Sequence, residues 1–213
     1  KNRLLTTIAY RLKGKTTYAL EGSIFIAGAG VQWIRDRMKF IKKASDTERI
    51  VKSLKNNSGI YLVPAFTGIG APYWNANARG VLSGITRNTG PKEIVRATIE
   101  SVAYQTNDLF DAMKQDGLRP KLVKVDGGMV MNNWFSQYLA DIINIKVLRP
   151  KVYETTALGA AFMAGLQVGV YKSLKQISKQ WKLDKKFKPK VNNKFRKKVL
   201  ADWNKAVKRT LIT

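Results

Sequence analysis

The segment LVKVDGGMVMNN, Leu122–Asn133, changes character twice within a few residues. Leu122, Val123 and Val125 read as a short buried strand, Asp126 closes it, Gly127 and Gly128 turn the chain, and Met129–Asn133 open the helix that follows. Adjacent glycines lack Cβ atoms, so φ can be positive and a planar ligand can lie close to the backbone. About one turn further on, Asn132 and Asn133 carry amides that both donate and accept, which suits the edge of a base. The same residues also suit a plain β–α turn with a capped helix, and the segment alone leaves both readings open. Ligands of open α/β sheets bind outside the carboxyl ends of strands, where this turn falls.

Working outward, Leu122–Val125, a helix over Asn132–Ile142 and a strand at Lys146–Leu148 make a β–α–β unit, so part of the sheet is parallel. Upstream, Leu4–Leu12 and Thr16–Ile26 are β-rich runs joined by Lys13-Gly14-Lys15, a hairpin signal. The chain therefore begins inside a sheet, and the first elements of the fold are expected to precede Lys1. AGAGVQWIRDRM leads into a helix whose start carries Gly28 and, four residues on, Gln32. Gly28 could admit a ligand that Gln32 hydrogen-bonds, or it could serve close packing of the strand end on the helix.

Asp46–Leu54 reads as a helix with Asp46 as N-cap, and Ile60–Phe66 as a strand entering the loop TGIGAPYWNANARG. Exposed aromatics and an arginine in such a loop point to binding or an interdomain contact. Gly80–Thr86 returns as a strand, and Pro91 starts a long helix over Lys92–Gln115. Its inner face is traced by Ile94, Ala97, Thr98, Ser101, Val102, Gln105 and Leu109, with Glu93, Arg96 and Glu100 mostly elsewhere. The Ala- and Gly-rich helix Ala157–Val168 reads as a core helix capped by Thr155 or Thr156, and Ser173–Lys179 as a short amphipathic one. Phe187–Lys190 reads as a linker.

Composition closes off several chemistries. With no Cys and no His there is no disulfide framework, no thiolate metal site and no imidazole base. The longest nearly apolar run, Ala157–Val170, is too short and glycine-rich to span a bilayer, so no membrane span and a cytoplasmic location are expected. Lys and Arg number 39 against 14 Asp and Glu, which raises nucleic acid as a partner. Twelve of those cations fall in Lys182–Thr213, a basic helical tail in which Phe195, Val199, Trp203 and Val207 repeat every four residues. That repeat predicts an apolar face docked on the body with lysines solvated behind it, and no RNP-type or zinc-finger motif argues for nucleic acid.

Together these segments resemble the carboxy-terminal domain of the FGGY carbohydrate kinases. Gly80-x-Leu82-x-Gly84-Ile85, seven residues, then Glu93-Ile94-x-x-Ala97-Thr98-Ile99-Glu100 fits the second signature of that family, and Thr156-Ala157-Leu158-Gly159-Ala160-Ala161 is a further match. YLVPAFTGIGAPYWNANARG and YALEGSIFIAGAGVQWIRD look most like its glycerol-phosphorylating branch. The resemblance implies an α/β fold of the ribonuclease-H-like ATPase type shared with actin, hexokinase and Hsp70, a mixed sheet flanked by helices, with residues 1–213 as one kinase domain ending in the basic helix. It implies ATP/ADP contacts at Gly28, Gln32, Gly128 and Asn132, with Asp126 and Gly127 in supporting places in the adenosine motif. It also implies Mg2+ held mainly through the nucleotide, phosphoryl transfer to glycerol or another polyol, and a homo-oligomeric complete protein. The catalytic aspartate and the glycerol-binding residues of the family lie in an amino-terminal domain without counterpart here, so no catalytic or metal residue is assigned. Asn75 stands where relatives commonly carry Asp.

Overall fold

The computed structural model describes residues 4–212. Two compact units divide the chain: Lys1–Arg119 with Val191–Thr213, and Pro120–Lys190. The ends of the expected domain, residues 1–3 and 213, lie outside the described residues.

In the first unit, β1 (Leu5–Leu12) and β2 (Lys15–Glu21) form an antiparallel hairpin with a bulge between Ile8 and Tyr10. Lys13 and Gly14, both at positive φ, make the two-residue turn expected from their sequence. The second strand stops short of the expected Ile26. Beyond Glu21, the Ser23 carbonyl accepts the N–H of Ala71, so the backbone pairs with a loop and no longer with β1. Next come α1 (Gly28–Asp36), α2 (Asp46–Ser53), and a short antiparallel pair of β3 (Tyr61–Val63) and β4 (Val81–Ser83). Asp46 does not cap α2. It is the first helical residue, and its Oδ2 accepts the N–H groups of Lys42 and Lys43. Those backbone bonds, Lys43 first, hold its carboxyl below the usual range.

The long helix α3 (Pro91–Gln115) starts at Pro91, and Glu93 reaches back to accept the N–H of Gly90. Its Arg96 and Glu100, expected off the inner face, are buried instead. Arg96 Nε donates to Glu100 Oε1 at 2.7 Å and its Nη1 to the Leu54 carbonyl at 2.7 Å, while Tyr104 donates to Glu100 Oε2 at 3.0 Å. Every polar end has a partner, so α3 can be buried on more than one side. Burial nevertheless pushes the Glu100 carboxyl up.

The helix α7 (Asn193–Leu211) packs on β3 and β4 through Val199, Trp203, Ala206, Val207 and Thr210, as the four-residue repeat predicts, although Phe195 stays exposed. The fully buried Trp203 stacks on Tyr104 with centroids 5.3 Å apart, and its Nε1 donates to Asp108 Oδ2 at 2.8 Å. The same oxygen accepts the Tyr73 hydroxyl at 2.9 Å. One buried carboxylate thus joins α3, α7 and the Gly68–Gly80 loop. That loop is internally braced. It contains a cis Ala71-Pro72 bond, Asn75 Oδ1 accepts the N–H groups of Asn77 and Ala78, and Arg79 Nη1 donates to the carbonyls of Ala76 and Ala78. Asn75 does with an amide oxygen what an aspartate would do with a charged one. On the outside the loop leaves Trp74 edge-on to Phe25, both exposed.

The second unit is a mixed sheet in the order β5–β6–β7. β5 (Leu122–Lys124) pairs in parallel with β6 (Lys146–Pro150), and β7 (Leu183–Phe187) pairs antiparallel on the other side of β6. α4 (Asn133–Ile143) makes the crossover, α5 (Thr155–Gln167) follows β6, and α6 (Leu174–Ser178) is capped by Ser173. Four expectations are corrected. β5 is not a buried strand, since Leu122 and Lys124 are exposed and Val123 only half-buried. α5, expected in a core from its small residues, has no buried residue, because its Ala/Gly surface meets no layer among the described residues. Neither Thr155 nor Thr156 caps it: Glu154 precedes the helix, and the Thr155 hydroxyl donates to Asp126. β7 falls in what reads from sequence as linker and tail, so the helical tail begins only at Asn193. With Lys185 and Lys186 outward and only Phe187 buried, β7 is a charged edge strand that apolar alternation does not reveal.

Asp108 supplies a prediction. Burial above all, and Asp111 nearby, push its carboxyl up to about 7 against the pull of the Trp203 and Tyr73 bonds. The folded chain then holds this proton more tightly than the unfolded chain. The resulting stability is full below the ordinary value of 3.8 and lost as pH rises through about 7. Asp108→Asn cannot titrate, so the fall in Tm between pH 4 and 7 should flatten relative to the parent, by up to about 4 kcal/mol over the interval. Thermal melts across pH check it.

Candidate nucleotide-binding site

Gly28 and Gln32 sit on α1, one turn apart on the same side and both exposed. Of the two glycines in this helix, the close-packed one is Gly30. A Cβ there would lie 3.1 Å from Thr98 Cγ2 on α3, whereas one on Gly28 would meet nothing within 4 Å. The packing explanation therefore applies to Gly30 and not to Gly28.

Asp126, Gly127, Gly128 and Asn132 come together in the second unit, between β5 and α4. The chain does not pass straight into a helix there, as the sequence suggests. Gly127 is at φ +83, then Gly128–Met131 make one 3₁₀ turn, then Asn132 caps α4 by accepting the N–H of Phe135 at 2.9 Å. The capping reading and the ligand reading of Asn132 thus coexist, with its side-chain oxygen engaged in the cap. The two glycines differ in kind. Gly127 needs glycine for its backbone, while Gly128 has an ordinary φ and open space where a Cβ would stand. Neither packing nor strain calls for glycine at Gly28 or Gly128, and the same holds of Gly159 on α5.

The turn is held from both ends. In front, the N–H of Gly127 donates to the Tyr153 carbonyl at 2.8 Å and Asp126 accepts the Thr155 hydroxyl. Behind, Arg149, buried at the end of β6, donates from Nη1 to the carbonyls of Val130 at 2.8 Å and Met131 at 3.3 Å. The Val130 carbonyl also accepts the Ser136 hydroxyl at 2.8 Å. Sequence reasoning missed Arg149. Its one signal is a lone cation inside the otherwise apolar run Val147-Leu148-Arg149-Pro150. Among the described residues no group of three acidic side chains could hold a metal ion, and no helix is long and apolar enough to cross a membrane. The paired glycines on α1 and the glycine turn before α4 lie in different units.

The glycine turn of the β–α–β unit lies at the carboxyl end of a strand, in front of a capped helix, which is where ligands of open α/β sheets bind. Residues 4–168 match the FGGY family of carbohydrate kinases, C-terminal domain, and the chain belongs to that family. It is 55% identical over 210 residues to the glycerol kinase of Ectopseudomonas mendocina and 54% identical over 209 to glycerol kinase 1 of Pseudomonas aeruginosa, in each case over 98% of this chain and 42% of the relative. The chain thus spans less than half the length of these curated relatives. Among solved structures, Plasmodium falciparum glycerol kinase with ADP matches with a TM-score of 0.87 and 43% identity, over 99% of this chain and 42% of that one. Ligand-bound xylulose kinase from Lactobacillus acidophilus, 23% identical over 99% of this chain and 42% of its own, shares the fold with a TM-score of 0.80. The fold is that of the actin- and hexokinase-like ATPases.

The contrast between the two glycines is testable. Gly127→Ala should lower stability by about 1–2 kcal/mol because it forces a Cβ into the left-handed region. Gly128→Ala meets no atom and should change it by less than about 0.5 kcal/mol. Denaturant titration of both variants measures the difference.

Proposed function

We propose that the chain is the nucleotide-binding half of a glycerol kinase, ATP plus glycerol giving ADP and sn-glycerol 3-phosphate. The observation that carries this reading is the open space at Gly28 and Gly128, two positions where the protein itself has no need of glycine. It is supported by the likeness to Plasmodium falciparum glycerol kinase with ADP. In this reading Gly28 and Gly128 let the nucleotide lie against the backbone, while Gln32 and Asn132 orient the adenosine. Asp126 and Gly127 shape the turn, through the Thr155 and Tyr153 bonds respectively.

Phosphoryl transfer breaks the bond from the γ-phosphorus to the β,γ-bridging oxygen and forms one to a glycerol oxygen, whose proton passes to a carboxylate. Asp126 is tied to Thr155, and Asp108 and Glu100 are buried in the first unit. The family resemblance puts the base and the glycerol site in an amino-terminal domain, which this half would approach as the cleft closes. The family resemblance implies Mg2+ held mainly through the nucleotide phosphates, where it would neutralise developing charge. A cytoplasmic, homo-oligomeric complete enzyme completes the proposal.

The test is complementation of the two halves. The 213-residue chain alone should give no glycerol-dependent ADP. The same chain fused behind the amino-terminal domain of the Pseudomonas aeruginosa relative should restore turnover. Glycerol-dependent ADP from the chain alone, or no turnover from a folded fusion that binds glycerol, overturns the reading.

A further inference from the structure

A 3₁₀ turn of four residues has little stability of its own. Its i→i+3 bonds are poorly aligned, and its last carbonyls find no partner within it. In this chain the Ser136 hydroxyl and one guanidinium make up the deficit. Besides the Val130 and Met131 carbonyls, Arg149 donates from Nη2 to Asn133 Oδ1 at 3.3 Å. It therefore brackets Asn132, gripping the carbonyl of the residue before it and the side chain of the residue after it. Lys185 Nζ reaches the same Asn133 oxygen at 3.2 Å.

Arg149 is itself immobilised. It lies on β6, the only strand of its sheet paired on both sides, and it is 6% exposed. Its Nε and Nη2 both lie 2.7 Å from Asp184 Oδ2 on β7, and its Cζ sits 5.6 Å from the centre of the Phe187 ring. A planar fork fixed in this way can hold several acceptors at set angles, which a flexible ammonium cannot do.

We infer that Arg149, steered by Asp184, is a positioning residue for nucleotide binding: it holds Gly128 and Asn132 in the geometry that receives the adenosine end, without touching the ligand. The inference rests on the nucleotide-site reading of that turn. It makes β6 and β7 part of the binding apparatus, although neither strand carries a residue that reaches the ligand.

The experiment is a set of three variants in the complete kinase, with Kd for ADP, Kd for glycerol and Tm measured for each. Gly128→Val tests the site itself and should abolish or strongly weaken ADP binding with glycerol affinity intact. Arg149→Lys keeps charge and length but loses the fork. It should weaken ADP about tenfold, equivalent to one or two charge-assisted hydrogen bonds, with glycerol affinity intact. Asp184→Asn, at a partly exposed position where folding is not at risk, should weaken ADP about threefold, since it loosens the fork without removing it. If Gly128→Val weakens ADP while Arg149→Lys and Asp184→Asn leave it unchanged, the clamp is refuted and the site stands. If Arg149→Lys lowers Tm and both affinities together, Arg149 is merely structural and the inference fails. If Gly128→Val leaves ADP binding unchanged, the site reading falls and the clamp falls with it.

Discussion

The first unit depends on a single carboxylate oxygen, Asp108 Oδ2, which receives both the Tyr73 hydroxyl and the Trp203 indole N–H. Three segments far apart in sequence meet on that atom: the cis-proline loop, the middle of α3, and α7. Each donor has an apolar body packed in place, Trp203 against Tyr104 and Tyr104 against Tyr61 at 5.7 Å, so the polar contact sets register and the rings supply the burial. The expense of burying Asp108 is visible in its elevated affinity for a proton. The Arg96–Glu100–Tyr104 network earlier along α3 follows the same logic, with a buried acid satisfied on both oxygens.

In the second unit a guanidinium takes the part that a carboxylate takes in the first. Arg149 gathers backbone carbonyls, where Asp108 gathers side-chain donors. The difference suits the tasks. A domain core needs large side chains locked together, whereas a glycine turn has no side chains to lock and can be steadied only through its peptide groups. A turn that must leave room in front for a ligand has to be held from behind.

Much of this was legible in the sequence, and the failures have identifiable causes. The Lys13-Gly14 hairpin, the Pro91 helix start, the β–α–β unit and the docking face of α7 each rest on a local pattern with few alternatives, and each appears in the structure. Arg96 and Glu100 fall mostly on a different face from the Ile94–Leu109 stripe, and sequence alone does not show that this second face is buried too. They lie inside because each is the other's partner at i,i+4, a pairing that sequence shows equally well on a wet face. β7 was missed because an edge strand with Lys185 and Lys186 carries the composition of a tail. At the site, the glycines and Asn132 stood out by residue type, but nothing local distinguishes Gly127, bound by its φ, from Gly128, bound by nothing in the chain. Arg149 was invisible because its role depends on a turn many residues upstream in the sequence.

The β1–β2 hairpin and α5 remain largely uncovered, with Ile8, Tyr18 and Met163 among their exposed apolar side chains. Unfolding brings little new apolar surface into water from those elements, since it is already there. Heat-capacity increments and denaturant m-values scale with newly hydrated area, so both should fall below what 213 residues would ordinarily give. The shallower stability curve that results belongs to the geometry of these two elements and does not signal a weak core around Trp203.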